Sequence, residues 1–394
     1  MSNTPLLPHP DLDAAQRLSD ELAAGAAERD RAGGLPSEEA QALRASGLLA
    51  LLVPPAQGGA GGSHAQSQQI VRTLARSDSN AAQILGYHYL LSHNAALRAT
   101  PAQREALQQR STAERWIWGG ASNPRDPALQ LREDTDGTLR LDGHKNFASN
   151  AAIAQRIVAI AQWQDTPVLL AIPGEAPGIT HGGDWDAFGQ RRGVSGSIRF
   201  ENVPLARDDV LGPWPPEPPS NPLLGLSVPL HQLYFVNLYI GNAEGALRQA
   251  HAYLLESARP WQTSGVQRAA DDPYVLEHYG HLTARLQASA ALADVAAQAW
   301  QSAWSRGDTL TPAQRDEASA VIYAAKVDST QTALHVTSHI LELLGARSTA
   351  ARHGFDRYWR NVRTHSLHDP VAYKAREIGD YALNGRLTAD PLYK

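Results

Sequence analysis

Cysteine is absent from all 394 residues. That absence excludes disulfides, thiolate nucleophiles and Cys-ligated zinc or iron–sulfur centres. An excess of basic charge is also lacking. The 35 Lys and Arg against 40 Asp and Glu leave a formal net charge of −5, a field that attracts neither nucleic acid nor an anionic membrane. No apolar run approaches the roughly 18 residues of a membrane span. The opening "MSNTPLLPHPDLDAAQRL" has no basic stretch followed by an apolar one, the mark of a signal peptide. The expectation is a soluble, cytoplasmic protein with no nucleic-acid or membrane partner. No Gly-x-Gly-x-x-Gly follows a strand, and no P-loop occurs, so no nucleotide-binding turn of either kind is expected.

What is present is ordinary core material, 43% hydrophobic and 19% charged, in a chain long enough for two or three domains. Residues 1–115 have helical periodicity. "DLDAAQRLSDELAAGAAERDRAGG" ends on a Gly pair, and Ser37 is placed to cap a second helix. "TPAQ" at 100–103 and again at 311–314 combines Thr at the N-cap, Pro at the first helical position and Gln at the third, a capping box. From 116 to 211 the pattern shortens. "TLRLDGHKNF", "RIVAIAQW", "TPVLLAIP" and "GSIRFENVPL" predict a small antiparallel β domain, with Asp136-Gly137 as a hairpin turn. Residues 212–222 hold six prolines in eleven positions and predict a stiff linker. Beyond it, helical patterns at 228–257, 273–305, 312–344 and 370–384 predict a four-helix bundle within a C-terminal domain, 223–394.

Chemistry-bearing residues concentrate in "NVRTHSLHDP". On residue type alone, His365 and His368 are open to three readings: a metal pair lacking its third ligand, a capping pair, or acid–base groups near neutral pH. His88, in "LGYHYLLSHN", is either a satisfied core histidine or an active-site wall. His93, five helical residues on, points elsewhere. Phe147 and Ser149, two apart at the end of a strand, can share one side of it. Trp185, Arg259 and Arg347 are individually unremarkable as a core tryptophan and two solvated arginines.

The order of these elements, with "LLVPPAQGGAGG", "IVRTLARSDSNAA", "HKNFASNA" and "LELLGARS", resembles the acyl-CoA dehydrogenase superfamily over essentially the whole chain. "ERDRAGG", "LRASGLLALLVP", "GYH", "ARPW", "LNG" and above all "HGFDRYWRNVRTHSLHDPVAYK" resemble its flavin-dependent monooxygenase branch, which includes dibenzothiophene and methanesulfinate monooxygenases. One departure from the dehydrogenases favours that branch. Their usual glutamate base lies in an Ile-Tyr-Glu-Gly-Thr context. Here "SLHDPV" occupies the region, with His368, Asp369 and Pro370 in place of Tyr, Glu and Gly. A base displaced by about 1 Å loses on the order of a hundredfold in rate.

The resemblance implies a mainly α fold with a central β domain: an N-terminal helical domain, a small antiparallel β-barrel and a C-terminal four-helix bundle, assembled as a homotetramer. It implies FMN, bound as FMNH2 from a separate NAD(P)H-dependent flavin reductase. Reaction with O2 through a C4a-hydroperoxyflavin would then oxygenate a small organosulfur compound of sulfinate, sulfone or thiophene type. His368 is the expected main proton-handling residue, with His365, His88 and Ser149 beside it. Phe147, Ser149 and Trp185 are expected at the flavin ring, and Arg259 and Arg347 at its phosphate, from different subunits. No metal is expected. Gly120 departs from the branch, where dibenzothiophene monooxygenases carry Asn. The alternatives are an FAD-dependent acyl-CoA dehydrogenase with Asp369 as base, or a non-catalytic member of the fold.

Overall fold

A computed structural model describes residues 10–214 and 223–387. Helices α1 (Pro10–Ala23) and α2 (Ala26–Ala32) replace the single helix expected at the start. The break falls at Gly25, whose φ of 72° lies in the left-handed region that glycine enters without a Cβ clash. In α3 (Ser37–Ser46) the cap position is Pro36, and Ser37 is already the first helical residue with no capping bond. Three helices follow: α4 (His64–Ala75), α5 (Ser79–Arg98) and α6 (Pro101–Ala113). Thr100 and Gln103 form the expected capping box on α6. Asp78 caps α5 through the backbone N–H groups of Asn80 and Ala81.

The β region contains β1 (Trp118–Ala121), β2 (Leu129–Glu133), β3 (Leu139–Lys145), β4 (Arg156–Trp163), β5 (Thr166–Pro173), β6 (Ile179–His181), β7 (Ile198–Leu205) and β8 (Val210–Pro213). The order is β6-β7-β3-β2-β4-β5-β8, with β1 joined to β4. This corrects the expected barrel: the sheet is open. It is also mixed, because β1 and β2 both run parallel to β4, one beside each half of it. Asp136-Gly137 does turn β2 into β3, with Gly137 at φ 84°. Strand β8 takes up residues 212–213 of the expected linker, and 215–222 lie outside the described residues.

The C-terminal helices are α7 (Ser227–Glu256), α8 (Pro273–Trp304), α9 (Pro312–Leu344), α10 (Asp356–His365) and α11 (Val371–Asn384). Four match the expected spans, and α10 is an unanticipated fifth packed on α7 and α9. Helix α7 is the central strut. A Cβ on Gly241 would stand 2.2 Å from the Arg72 carbonyl, and one on Gly245 2.0 Å from that of Arg76. Glycine there lets α4 and α7 touch backbone to backbone. The Arg72 guanidinium crosses this contact to Asn237 at 2.9 Å and Asp294 at 2.7 Å.

One hydrophobic core runs through α1, α3, α4, α5 and on into α7, α8 and α9, while the sheet keeps a smaller core of its own. The first and last helical regions are therefore fused through α4, α5 and α7. No described helix is long and apolar enough to cross a membrane.

Candidate active site

Helix α10 stops at His365 because the chain turns there: the Ser366 N–H reaches back to Val362 and the His368 N–H to His365. Pro370 then opens α11. This turn sets the two imidazoles nearly parallel, 6.3 Å apart at 17°. The Phe235 ring of α7 meets both edge-on, at 4.3 Å and 4.9 Å. His231, one turn earlier on α7, lies 5.2 Å from His368. His365 is buried, with Nδ1 3.0 Å from the Tyr239 hydroxyl and Nε2 without a partner among the described residues. Burial, reinforced by the neighbouring His368 and Lys326 charges, holds its pKa well below the usual histidine range.

Behind the histidines, Asp369 is shared between Lys326 at 3.5 Å and His368 at 3.7 Å. Burial would raise its pKa, but the His368 hydrogen bond and the Lys326 charge outweigh that and hold the carboxyl well below its ordinary range. Lys326 is wholly buried on α9, and burial pushes its ammonium down to about 8 against the pull of Asp369.

In front of His365 is a small hollow of about 10 Å³, lined by Gln83, Tyr87, His231, Tyr234, Phe235 and His365 among smaller apolar residues. That is room for about one water molecule. Tyr87 connects it to the β region: its hydroxyl is hydrogen-bonded to Ser149, and burial raises its pKa. Ser149 in turn lies 3.0 Å from Ser195.

The segment carrying Ser149 is a turn and not the strand end expected from its spacing. Pairing of β3 with β7 ends at Lys145 opposite Ile198. Asn146 is then drawn onto Asp126 by its backbone and side-chain amides, at 2.6 and 2.9 Å. Phe147 follows at φ 55° and Asn150 at φ 59°, both left-handed, a conformation uncommon for residues with a Cβ and often found at functional sites. As a result the Phe147 ring is 65% exposed, while Ser149 is buried. Trp185 is half-buried on the loop between β6 and β7 and donates to the Gln190 carbonyl at 2.8 Å. That loop is pinned to α10 by Asn361 and to α3 by the paired Arg192–Glu39 bonds of 2.6 and 2.9 Å.

The structure thus brings Ser149, His365 and His368 together and leaves other expected members apart. His88 faces the core. Its Nε2 is 2.8 Å from the Leu49 carbonyl and its Nδ1 accepts the Trp118 N–H at 3.3 Å. Both ring nitrogens are therefore committed to backbone, which is the satisfied-core reading; burial lowers its pKa to about 4. Arg259 and Arg347 are exposed just past the C-terminal ends of α7 and α9. Those helices run parallel, since Trp300 near the end of α8 bonds Leu226, and His278 near its start meets Glu342. The arginines therefore share one end of the bundle, roughly 25 Å along the axis from Tyr239 at about 1.5 Å per residue. A Cβ on Gly120 would meet the Leu91 side chain at 3.0 Å, so a larger side chain has no ready space there. Among the described residues no cluster of three His, Asp or Glu is placed to hold a metal ion.

Sequence reasoning missed Gln83, Tyr87, His231, Tyr239 and Lys326. Periodicity carried part of the signal. Gln83, Tyr87 and Leu90 line one face of α5, and His231, Tyr234, Phe235 and Leu238 one face of α7, each at helical spacing. The motif "GYH" was therefore informative one residue earlier than the histidine it ends on.

This architecture is that of an acyl-CoA dehydrogenase. Models of that family's N-terminal and C-terminal domains match residues 13–114 and 233–372, and the chain belongs to the family, in its flavin-dependent monooxygenase branch. It is 38% identical to a probable FMNH2-dependent monooxygenase, SfnC, of Pseudomonas putida over 99% of this chain and 98% of that one. It is likewise 38% identical to dibenzothiophene monooxygenase of Rhodococcus erythropolis, over 94% and 93%. The solved structure of methanesulfinate monooxygenase MsuC from Pseudomonas fluorescens superposes with a TM-score of 0.92 at 37% identity, covering 98% of this chain and all of that one.

Proposed function

We propose that this chain is a cytoplasmic, two-component monooxygenase that binds FMNH2, consumes O2 and oxygenates a small organosulfur compound. The observation that carries the reading is the neutral, buried His365, which lines a small hollow beside the Tyr87–Ser149 pair and whose Nε2 has no partner among the described residues. The sulfur substrates of its relatives agree with it.

The residues present suit a flavin. An exposed aromatic ring at Phe147, held in a left-handed turn, and the half-buried Trp185 provide flat apolar surface beside the Ser149 hydroxyl. The guanidinium groups of Arg259 and Arg347 make no hydrogen bond or ion pair among the described residues, as suits groups waiting for a phosphate. Their distance from Tyr239 exceeds the reach of one flavin mononucleotide. Neighbouring copies must then contribute them, consistent with a homotetramer.

Reduced flavin, when bound, supplies the activation of O2 and the transfer of one oxygen atom to sulfur. The chain's own part is to orient and to manage protons. Ser149 and Tyr87 hold the ring edge against the cavity, His365 and His368 donate or take protons beside it, and the apolar lining excludes water that would divert the reaction to hydrogen peroxide. Reduced flavin reaches the site from a separate NAD(P)H-dependent reductase.

The dehydrogenase alternative asks Asp369 to abstract a proton. Its carboxylate is engaged by Lys326 and His368 and is a weak base there, so the ion pair argues against that role.

The test is anaerobic mixing with FMNH2 followed by an O2 pulse, monitored in the near-ultraviolet. A persistent near-ultraviolet absorbance that decays faster with added sulfinate or thiophene supports the reading. Immediate reoxidation, with tightly held FAD reducible by acyl-CoA, overturns it in favour of a dehydrogenase.

A further inference from the structure

Lys326 is the most buried charge near the site, with no exposed surface, and none of the chemistry above uses it directly. Its Nζ donates to the Tyr239 hydroxyl at 3.2 Å. It lies 4.6 Å over the Phe235 ring and 4.9 Å from that of Tyr239. The groups facing it are Tyr239, Phe235 and His231 of α7, Asp369 of the turn after α10, His365 of α10 and Lys374 of α11. A buried ammonium is costly to maintain, and its retention calls for a reason beyond packing.

The reason follows from counting hydrogens. An ammonium only donates, so toward Lys326 the Tyr239 oxygen must accept. Tyr239 has one hydrogen left, and His365 Nδ1 lies 3.0 Å away to receive it. A neutral imidazole whose Nδ1 accepts carries its proton on Nε2. That Nε2 is buried, lacks a partner among the described residues, and belongs to a residue lining the cavity.

We infer that Lys326 is a positioning residue which, through Tyr239, fixes His365 as its Nε2–H tautomer and holds that donor at the cavity. The donor is thereby committed in advance to an oxygen that gains negative charge during transfer, where a preorganised N–H is most effective. The catalytic use of the donor rests on the monooxygenase reading; the tautomer relay itself does not.

The experiment uses full-length protein with ¹⁵N-labelled histidine, reading the His365 tautomer by two-bond proton–nitrogen correlation and assigning it with His365→Ala. The wild type should show Nε2–H. Tyr239→Phe removes only the oxygen of the relay and should yield a mixture of tautomers. Its product per reduced flavin should fall in proportion to the Nε2–H population lost, about twofold for an even mixture, with flavin affinity unchanged. Lys326→Met should do the same; if it fails to fold, Tyr239→Phe still decides the matter.

A wild-type Nδ1–H signal, or a tautomer unaltered by Tyr239→Phe, overturns the inference. A tautomer shift in a protein that never oxygenates sulfur sustains the relay and sinks the functional reading instead.

Discussion

The hydroxyls of Ser149 and Ser195 lie 3.0 Å apart, and Ser195 donates its hydrogen onward to the Gly193 carbonyl at 3.2 Å. Ser149 must therefore donate to Ser195, and Tyr87 to Ser149. The relay has one direction, set by a backbone carbonyl on the loop between β6 and β7. Replacing Ser195 with Ala should cost only about 1 kcal/mol of stability. It should also free the Ser149 hydrogen and lower product per reduced flavin by about tenfold, with the balance released as hydrogen peroxide. Ser195→Thr should restore coupling. Product and peroxide measured side by side check this, and unchanged partition would reduce the relay to scaffolding.

His88 yields a different kind of prediction. Both its nitrogens serve the backbone, at Leu49 and Trp118, so it joins α5 to β1 and to the turn after α3. His88→Ala should destabilise the fold by about 3 kcal/mol, the cost of two unsatisfied buried groups. The turnover of the fraction still folded should stay near wild type. Urea unfolding and active-site titration separate the two effects. Lost turnover at full stability would return His88 to the active-site wall.

What the sequence made legible was local. Helix starts with a side-chain cap and Pro at the first position, Thr100 and Thr311, stand where the letters put them, because capping chemistry is contained in four consecutive residues. The spans of β4 and β5 were equally plain. Chain direction within the sheet was not: β1 and β2 are parallel to β4 through pairings 38 and 32 residues distant, which no window reveals. The histidine pair was visible as a motif. Lys326 and Tyr239 meet it only across three helices, and "YAAKVDS" gives no local hint that its lysine is buried. For His88, one residue of helical rotation separates the cavity face from the core face.

Buried histidines also set the acid limit of the fold. His64, His88, His93, His231 and His365 all have pKa values lowered first by burial, His88 and His93 to about 4. The folded values lie below the ordinary 6.5, so the unfolded chain binds more protons. The stabilisation is then complete above about 6.5 and is lost as pH falls toward 4, by about 3 kcal/mol for each of His88 and His93. Urea midpoints should fall steeply across that window, and His93→Gln should flatten the decline. A midpoint constant from pH 6.5 to 4 contradicts the burial of neutral imidazoles.

The two arginines test whether one site is built from two chains. Arg259 and Arg347 emerge at one end of the bundle, while His368 belongs to the turn beside Tyr239 and Lys326. Alone, His368→Ala should abolish product and keep flavin binding, whereas Arg259→Ala should weaken flavin binding and keep the histidines intact. Subunits of the two variants, mixed by co-expression, should regain activity. In a random assembly about a quarter of the sites combine an intact histidine turn with an intact arginine from the neighbour. Activity near that fraction, with flavin affinity intact in about half of the sites, establishes a shared site. Mixed assemblies as inactive as their parents would place both groups in one chain, and full activity of Arg259→Ala would remove that arginine from the phosphate.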